Sequence, residues 1–573
     1  MNTIVKTVLN RRGITDVDAY LKTIEHIDND LLLNIDVLCE RLKSIHDRQL
    51  RIVVIPDFDM DGIMSGVIGF TGLTELGFNA ALYVPNPSNG YGFSIADIDE
   101  IMKQPDTKAI ITCDVGTSCI KGVAYAKSLG LDVFVTDHHI LPETGAAQAD
   151  VIVNPMLPAD TCRFKDICGA FVLYKCLYRY SQLYGNVHQQ DQIRRLKVFA
   201  GIGTVSDVMP VLYENRQLIK ESLALSRLIY SNGNPWFVDA ITGCDIYKNV
   251  FKGLYNVYNT LKETSKLSSN DDIDEVFYGF YIAPLFNSVK RIGVNGDMEK
   301  AFNIFIGSQD ESCDNIKYLI ELNEKRKTLV SEKFAELTDK NNYQPYAPYI
   351  YIADAPAGVL GLLATKFAEK NQMPAFVFHK SDNGYSGSGR TPSWYPAIDI
   401  CMPQGFNING HQNAFGVSIS SNDELKRLFE FVSTSIEQYK PVGSSALTPC
   451  DFIITVNGEN ADSGIDIPLF AEYLHEIPNY KPFGKDFPLP QFCFRFKASD
   501  GEWMRFRSHL KIKFIHGFEV ICWNEADSFT DYIDNGVSDV NTEYEIIGTM
   551  NLNSYMGNNN ISLIGDIRAI SET

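Results

Sequence analysis

Cysteine pairs at metal-knuckle spacing are missing from this chain. Its 12 cysteines include no Cys-x-x-Cys, and Cys113 with Cys119 or Cys162 with Cys168 are spaced neither as a zinc knuckle nor as a secreted disulfide framework. They read as small hydrophobes of a reducing compartment. Long apolar runs are also lacking: nothing approaches the roughly 18 residues of a membrane span, and the start MNTIVKTVLNRRG has no apolar signal core. The expected place is the cytoplasm, a host's cytoplasm for a viral lineage, with no membrane partner. Positive charge is scarce, with Lys+Arg 51 against Asp+Glu 71 and a net charge of -20, which by itself argues against a nucleic-acid protein and leaves local patches to decide the point. No repeat or low-complexity tract appears, so solenoid and fibrous classes drop out. At 573 residues and 45% hydrophobic, the chain should hold about three or four domains.

What the chain does have is four short acidic motifs, each after an apolar run. They read IVVIPDFDMDG (Ile52 to Gly62), AIITCDVG (Ala109 to Gly116), VFVTDHH (Val133 to His139) and GIGTVSDVMP (Gly201 to Pro210). The first three apolar runs are β-branched, as in buried parallel strands, and each breaks off at a carboxylate. The carboxyl ends of parallel strands converge on one crevice, so Asp57, Asp59, Asp61, Asp114, Asp137, His138, His139 and Asp207 should gather at one sheet edge. That many carboxylates need cations among them. Oxygen and imidazole donors without thiolate point to Mn2+ or Mg2+, and the implied chemistry is two-metal hydrolysis of phosphate esters. Taken alone, DFDMDG is also a polar turn or a calcium loop. The EF-hand pattern fails because Ile68 stands where the loop needs Glu. A lone His-His pair is ordinary, but four acidic strand ends in so short a stretch are hard to explain by structure alone.

Residues 1–49 read as helical, with Thr15 as a helix cap. From Arg51 to about Pro210, strands alternate with amphipathic stretches, the pattern of a parallel α/β sheet. More helix follows to about residue 306, and a charged, Gly- and Pro-free periodic stretch within 307–342 reads as one long connecting helix. A second α/β unit over 343–440 opens at YIYIADAP. After VGSSALTP (Val442 to Pro449), alternating aromatic-rich segments over 441–573 suggest a small β-barrel. Within it, Arg495, Lys497, Arg505, Arg507, Lys511 and Lys513 stand against Asp500 and Glu502, with Phe496, Trp503, Phe506 and Phe514 interleaved. This basic face with stacking platforms suits a single strand. The alternative is a barrel strand with solvated charges.

The order and wording of the motifs, DxDxDG then a lone Asp then DHH then GTVSDVMP, resemble the DHH phosphoesterase superfamily and, within it, the RecJ single-stranded-DNA exonucleases. VPNPSNGYGFS, LPETGAAQADVIVNP, FKDICGAFVLYK and FYIAPLFNSVKRIG look like further family segments. AGVLGLLATKFAEKNQMPAFVF, GSGR and NGHQNAFG resemble the associated DHHA1 domain, and YKPFGKDFPLPQF with HLKIKF the carboxy-terminal OB-fold. The resemblance implies a DHH domain over 50–306 and a DHHA1 domain over 343–440, joined by the long helix, with an OB-fold over 441–573. It implies one metal on Asp61, Asp114, His138 and Asp207 and another on Asp59 and Asp114, with Asp57 and His139 assisting catalysis. Asn287, Arg291, Ser388, Arg390 and His411 would grip the substrate. The implied activity is 5′-to-3′ hydrolysis of single-stranded DNA to mononucleotides in recombination, repair or replication, with a single-strand-binding protein or a helicase as possible partners.

Some positions depart from the family pattern. Val115 replaces the Asn of the usual DNG, Leu285 replaces an Arg, and Phe415 replaces a small residue where it could narrow the groove or offer a stacking surface. Two other readings remain: a two-lobed phosphodiesterase for short oligoribonucleotides or cyclic dinucleotides, and an inactive RecJ-like scaffold. The extra barrel argues against the first and the intact ligand set against the second.

Overall fold

The first helix, α1 (Thr3–Arg11), is capped by the Asn2 side chain, which accepts from the Ile4 amide, and it buries Ile4, Val5, Val8 and Leu9. The computed structural model describes residues 2–14, 31–86, 92–104, 106–231, 243–264, 273–294, 296–339, 342–381, 384–440, 450–455, 465–514, 517–523, 525–537, 540–555 and 558–570. The chain divides into two units, His26–Val442 on one side and Met1–Glu25 with Gly443–Thr573 on the other. The segment 1–49, read as one helical piece, is therefore shared: α1 belongs with the C-terminal end, and α2 (Ile35–Asp47) with the larger unit. The reason is local. Asn2 and Arg12 find their partners at Leu469, Glu476 and Asp451. Thr15, part of VPNPSNGYGFS and the VGSSALTP linker lie outside the described residues.

In the larger unit, β1 (Arg51–Pro56), β2 (Asn79–Leu82), β3 (Thr107–Cys113), β4 (Asp132–Thr136) and β5 (Val151–Val153) form a sheet of order β2-β1-β3-β4-β5, parallel throughout. β1, β3 and β4 are buried along almost their whole length, as strands covered on both faces must be. One cover is α3 (Met60–Glu75), which connects β1 to β2. On the opposite face lies α4 (Ile120–Ser128), whose Val123 and Ala126 join Val53, Ile55, Ile110 and Val133 in one core. The strand order reverses between β1 and β3, which places the topological switch point between Asp57 and Asp114.

The fourth acidic motif is not a strand end. Residues of GIGTVS lie in a helix, α6 (Lys197–Ser206), which packs on α3 and on α5 (Gly169–Tyr184) and delivers Asp207 from its C-terminal cap. The apolar run here is continuous because the helix is buried on nearly every side, a case that periodicity alone cannot tell from a strand. Beyond it, a five-residue π-helix (Tyr278–Ile282) leads into α7 (Ala283–Ile292) and α8 (Asp297–Ile306).

The connecting helix α9 (Gln309–Thr338) is 30 residues long, and Ser308 caps it by accepting from the Glu311 amide. A second five-stranded sheet follows, of order β6-β7-β8-β10-β9, in which β6 (Ile350–Ile352) and β7 (Ala375–Ser381) are parallel. The pairings among β7, β8 (Gly384–Arg390), β9 (Asn407–His411) and β10 (Ala414–Ile419) are antiparallel. Helix α10 (Ala357–Asn371) packs on it through Val359, Leu363 and Phe367.

In the other unit, α11 (Ile467–Glu476) lies beside α1. A seven-stranded sheet, of order β11-β12-β16-β17-β15-β14-β13, is dominated by the hairpin of β16 (Glu543–Tyr555) and β17 (Asn558–Ala569), paired along its length. The others are β11 (Phe452–Thr455), β12 (Phe492–Lys497), β13 (Glu502–Phe506), β14 (His509–Lys513) and β15 (Phe518–Cys522).

Candidate metal centre

Asp57 follows the last residue of β1, and the chain turns at once into α3. Asp59 caps that helix, its Oδ1 accepting from the Gly62 amide at 3.2 Å. A β-carbon on Gly62 would lie 2.5 Å from the Asp57 carbonyl. This Gly is thus required by close approach of strand end and helix, not by an unusual φ. Asp61, one residue into α3, accepts from Gly169 (2.7 Å) and Ala170 (3.2 Å), the first amides of α5. Helix-end amides favour a carboxylate there, and they hold Asp61 with its plane fixed.

Asp114 leaves β3 in the left-handed region, φ 64, which a short polar side chain tolerates. That turn aims it at His138: Asp114 Oδ1 is 3.1 Å from His138 Nε2, which is 3.6 Å from Asp207 Oδ2. Asp137 is buried and accepts from His138 N, His139 N and Thr117 N, while its Oδ1 lies 2.8 Å from His139 Nδ1. Asp137 therefore orients the His139 imidazole and holds the backbone of both histidines. Val115 packs in the apolar core beside β1 and β4, which is why the turn stands without an Asn.

Three sets of donor atoms lie within 4.8 Å of one another: Asp61, His138 and Asp207; Asp57, Asp59 and Asp114; Asp114, His138 and His139. The electrostatics fit a cation site. Burial, then the surrounding carboxylates, push Asp114 and Asp207 well above the usual carboxylate range. Burial and Asp59 raise Asp57 to about 7. Burial lowers His138. Burial also opposes charge on His139, but Asp137 overrides it and lifts the imidazole to about 9. Buried Asp57 Oδ1 and Asp114 Oδ1 have no hydrogen-bond partner among the described residues. Carboxylates this close want protons or hard cations, and the oxygen and imidazole donors suit divalent ions of the Mn2+ and Mg2+ kind.

Beside this cluster, the residues expected to grip phosphate meet at the start of α10. Arg291 donates from Nη1 to Gly358 O at 2.9 Å, and Arg390 to Gly389 O at 2.8 Å. A β-carbon on Gly361 would stand 3.0 Å from Arg390 Nη2 and 3.6 Å from Ser388 Oγ. Burial, then the charges of Arg390 and Arg326, lower the pKa of Arg291. Clustered guanidinium groups beside a helix N-terminus make an anion cradle. Asn287 instead pins the metal turn, its Oδ1 accepting from Met60 N at 2.9 Å. His411 closes β9, and its side chain lies outside the described residues.

Sequence reasoning missed two cations. Lys290 Nζ lies 3.1 Å from Asp59 Oδ2, and Arg326 of α9 belongs to the arginine group. The signal for Lys290 was present: it sits three residues after Asn287, on the same helix face. Two expectations fail. Phe415 is 3% exposed and stacks on Gly389 within the core, so it neither narrows a groove nor presents a platform. In the basic stretch, Phe496 and Trp503 are also buried, and Arg495, Arg505 and Lys511 pair with Glu545, Asp527 and Glu519. Alternation there builds the sheet's core; Phe506, 50% exposed, is the aromatic left facing solvent, near Trp523 at 54%.

Known proteins resemble this chain in sequence and in fold. Residues 51–201 match the model of the DHH family, N-terminal domain, and residues 468–566 that of the RecJ OB domain. The chain is 26% identical over 580 residues to the single-stranded-DNA-specific exonuclease RecJ of Escherichia coli, covering 93% of this chain and 90% of that one. It is 26% identical over 506 residues to RecJ of Bacillus subtilis, where 85% of this chain spans 58% of the relative's length. The fold matches Thermus thermophilus RecJ solved with Mn2+ at TM-score 0.74 and 22% identity, over 100% of this chain and 76% of that one.

Proposed function

Because the chain is a divergent member of the RecJ family of DHH phosphoesterases, we propose that it is a metal-dependent exonuclease of single-stranded DNA, working from the 5′ end and releasing mononucleotides. The observation that carries this reading is the overlap of three donor sets on Asp114 and His138 at the switch point, with an arginine-lined cradle on the same unit. Asp61, Asp114, His138 and Asp207 would hold one Mn2+ or Mg2+, and Asp59 with Asp114 the other. When bound, the ions supply Lewis acidity at the phosphodiester and lower the pKa of water near it.

The chain's own residues do the rest. Asp137 fixes the His139 imidazole and the backbone of the His138–His139 turn, and Asp57 with His139 lie where a proton or a phosphate oxygen can be met. Arg291, Arg390 and Ser388 bind the anionic backbone, with the first turn of α10 adding its dipole. Asn287 keeps the DxDxDG turn in register with α7. In the other unit, Phe506 and Trp523 are the exposed aromatic rings on which bases of the strand can stack.

The test is degradation of an oligonucleotide labelled at either end, with Mn2+, Mg2+ or EDTA, beside Asp114→Ala. Early mononucleotide release from the 5′ label, abolished by EDTA and by the substitution, is expected. Early release from the 3′ label would reverse the polarity, and retained strand binding without cleavage under any metal would make the chain a scaffold.

A further inference from the structure

Lys290 occupies an unusual place for a lysine in a carboxylate cage. Its Nζ is 3.1 Å from Asp59 Oδ2 and 3.8 Å from Asp57 Oδ2, and its side chain remains 42% exposed at the mouth of the site. The helix that carries it is anchored on both sides: Asn287 accepts from Met60 N, and Arg291 donates to Gly358 O. The ammonium can therefore leave the carboxylates by rotation of its own side chain, without moving α7. At Asp61, Asp114, His138 and Asp207 the neighbours are amides, imidazole and other carboxylates.

We propose that Lys290 is a tethered counter-ion that makes the two metal positions unequal, an inference that rests on the two-ion reading above. An ion entering at Asp61, Asp114, His138 and Asp207 displaces no ammonium from a ligand carboxylate, and Lys290 acts on Asp207 there only at longer range, as His139 does. An ion entering at Asp59 and Asp114 must first displace the ammonium from Asp59 and then bear its repulsion, because the tether keeps the like charge close. The displaced ammonium regains an anionic partner when a substrate phosphate arrives. Substrate thus favours the second ion without being required for it, and Lys290 is a positioning residue acting through Asp59.

The experiment is a Mn2+ titration of the full-length protein, reading free Mn2+ by electron paramagnetic resonance. Wild type should bind one ion tightly and one weakly. Lys290→Met should tighten the weak position on the order of 10- to 100-fold, the scale at which groups behind metal ligands act. The tight constant should shift far less than the weak one, because Lys290 reaches Asp207 only through space, and a retained tight position also reports an intact fold. Lys290→Arg should restore the weak position. Two ions bound by Lys290→Met with the wild-type constants would overturn the role of Lys290 and leave the two-ion reading standing. A wild type that binds no Mn2+ would overturn both.

Discussion

A β-carbon on Gly169 would lie 2.4 Å from Asp114 Oδ1, and one on Gly203 would lie 2.3 Å from Asp61 Oδ1. Each carboxylate is thus backed by a glycine of a neighbouring helix, and its position is fixed by how near that backbone can come. Gly203→Ala should move Asp61 off its amide donors, and both Mn2+ affinity and hydrolysis should fall by about 100-fold, the usual consequence of misplacing a catalytic group by about 1 Å. Calorimetric Mn2+ titration beside the end-labelled assay reads both. At this scale the sequence was most informative: it named the carboxylates and imidazoles because their residue types carry chemistry wherever they sit. Gly169 and Gly203 were not legible as supports, since nothing local marks which helix will pack against Asp114 or Asp61. Lys290 differs: its helix face beside Asn287 was legible, but its partner Asp59, 231 positions away, was not.

Helix α3 illustrates what an element needs beyond its motif. Gly66, Gly69 and Gly72 recur along it, and β-carbons there would meet Phe302 at 2.7 Å, Leu173 and Val54 at 3.0 Å, and Leu177 at 2.7 Å. The spacing of three turns one helix face into a flat track on which β1, α5 and α8 settle. Gly66→Val should overpack that contact with Phe302 and destabilise the folded state by about 1–3 kcal/mol, measured by urea denaturation, with Mn2+ binding retained in the folded fraction. Strands β1, β3 and β4 were readable as apolar runs, and the long helix α9 as a charged, periodic one. Helix α6 was read as a strand end because it is apolar all round. The aromatic alternation near residue 500 suggested a stacking face, when Phe496 and Trp503 turn inward and pack on Tyr544.

At the scale of the molecule, the net charge of -20 includes the buried carboxylates of the candidate site, which repel one another until cations join them. Chelation should therefore lower the melting temperature of the unit His26–Val442, and Mn2+ should raise it by stabilising the folded unit by about 2.7 kcal/mol for an ion at 100 times its dissociation constant. Differential scanning calorimetry with Mn2+ or EDTA checks this, and the transition of the other unit should stay where it is. The division of the chain into those units was only partly legible. Residues 441–573 announced themselves by pattern, but α1 gave no sign of its destination. That destination has a consequence for biosynthesis. The Asn2 amide donates to Glu476, 474 positions later, so on a ribosome moving at roughly 5–20 residues per second, Ile4, Val5, Val8 and Leu9 emerge unpaired for about 24–95 s. Through that interval, a chaperone or a crowded exit surface must keep those four side chains covered until their partner is made.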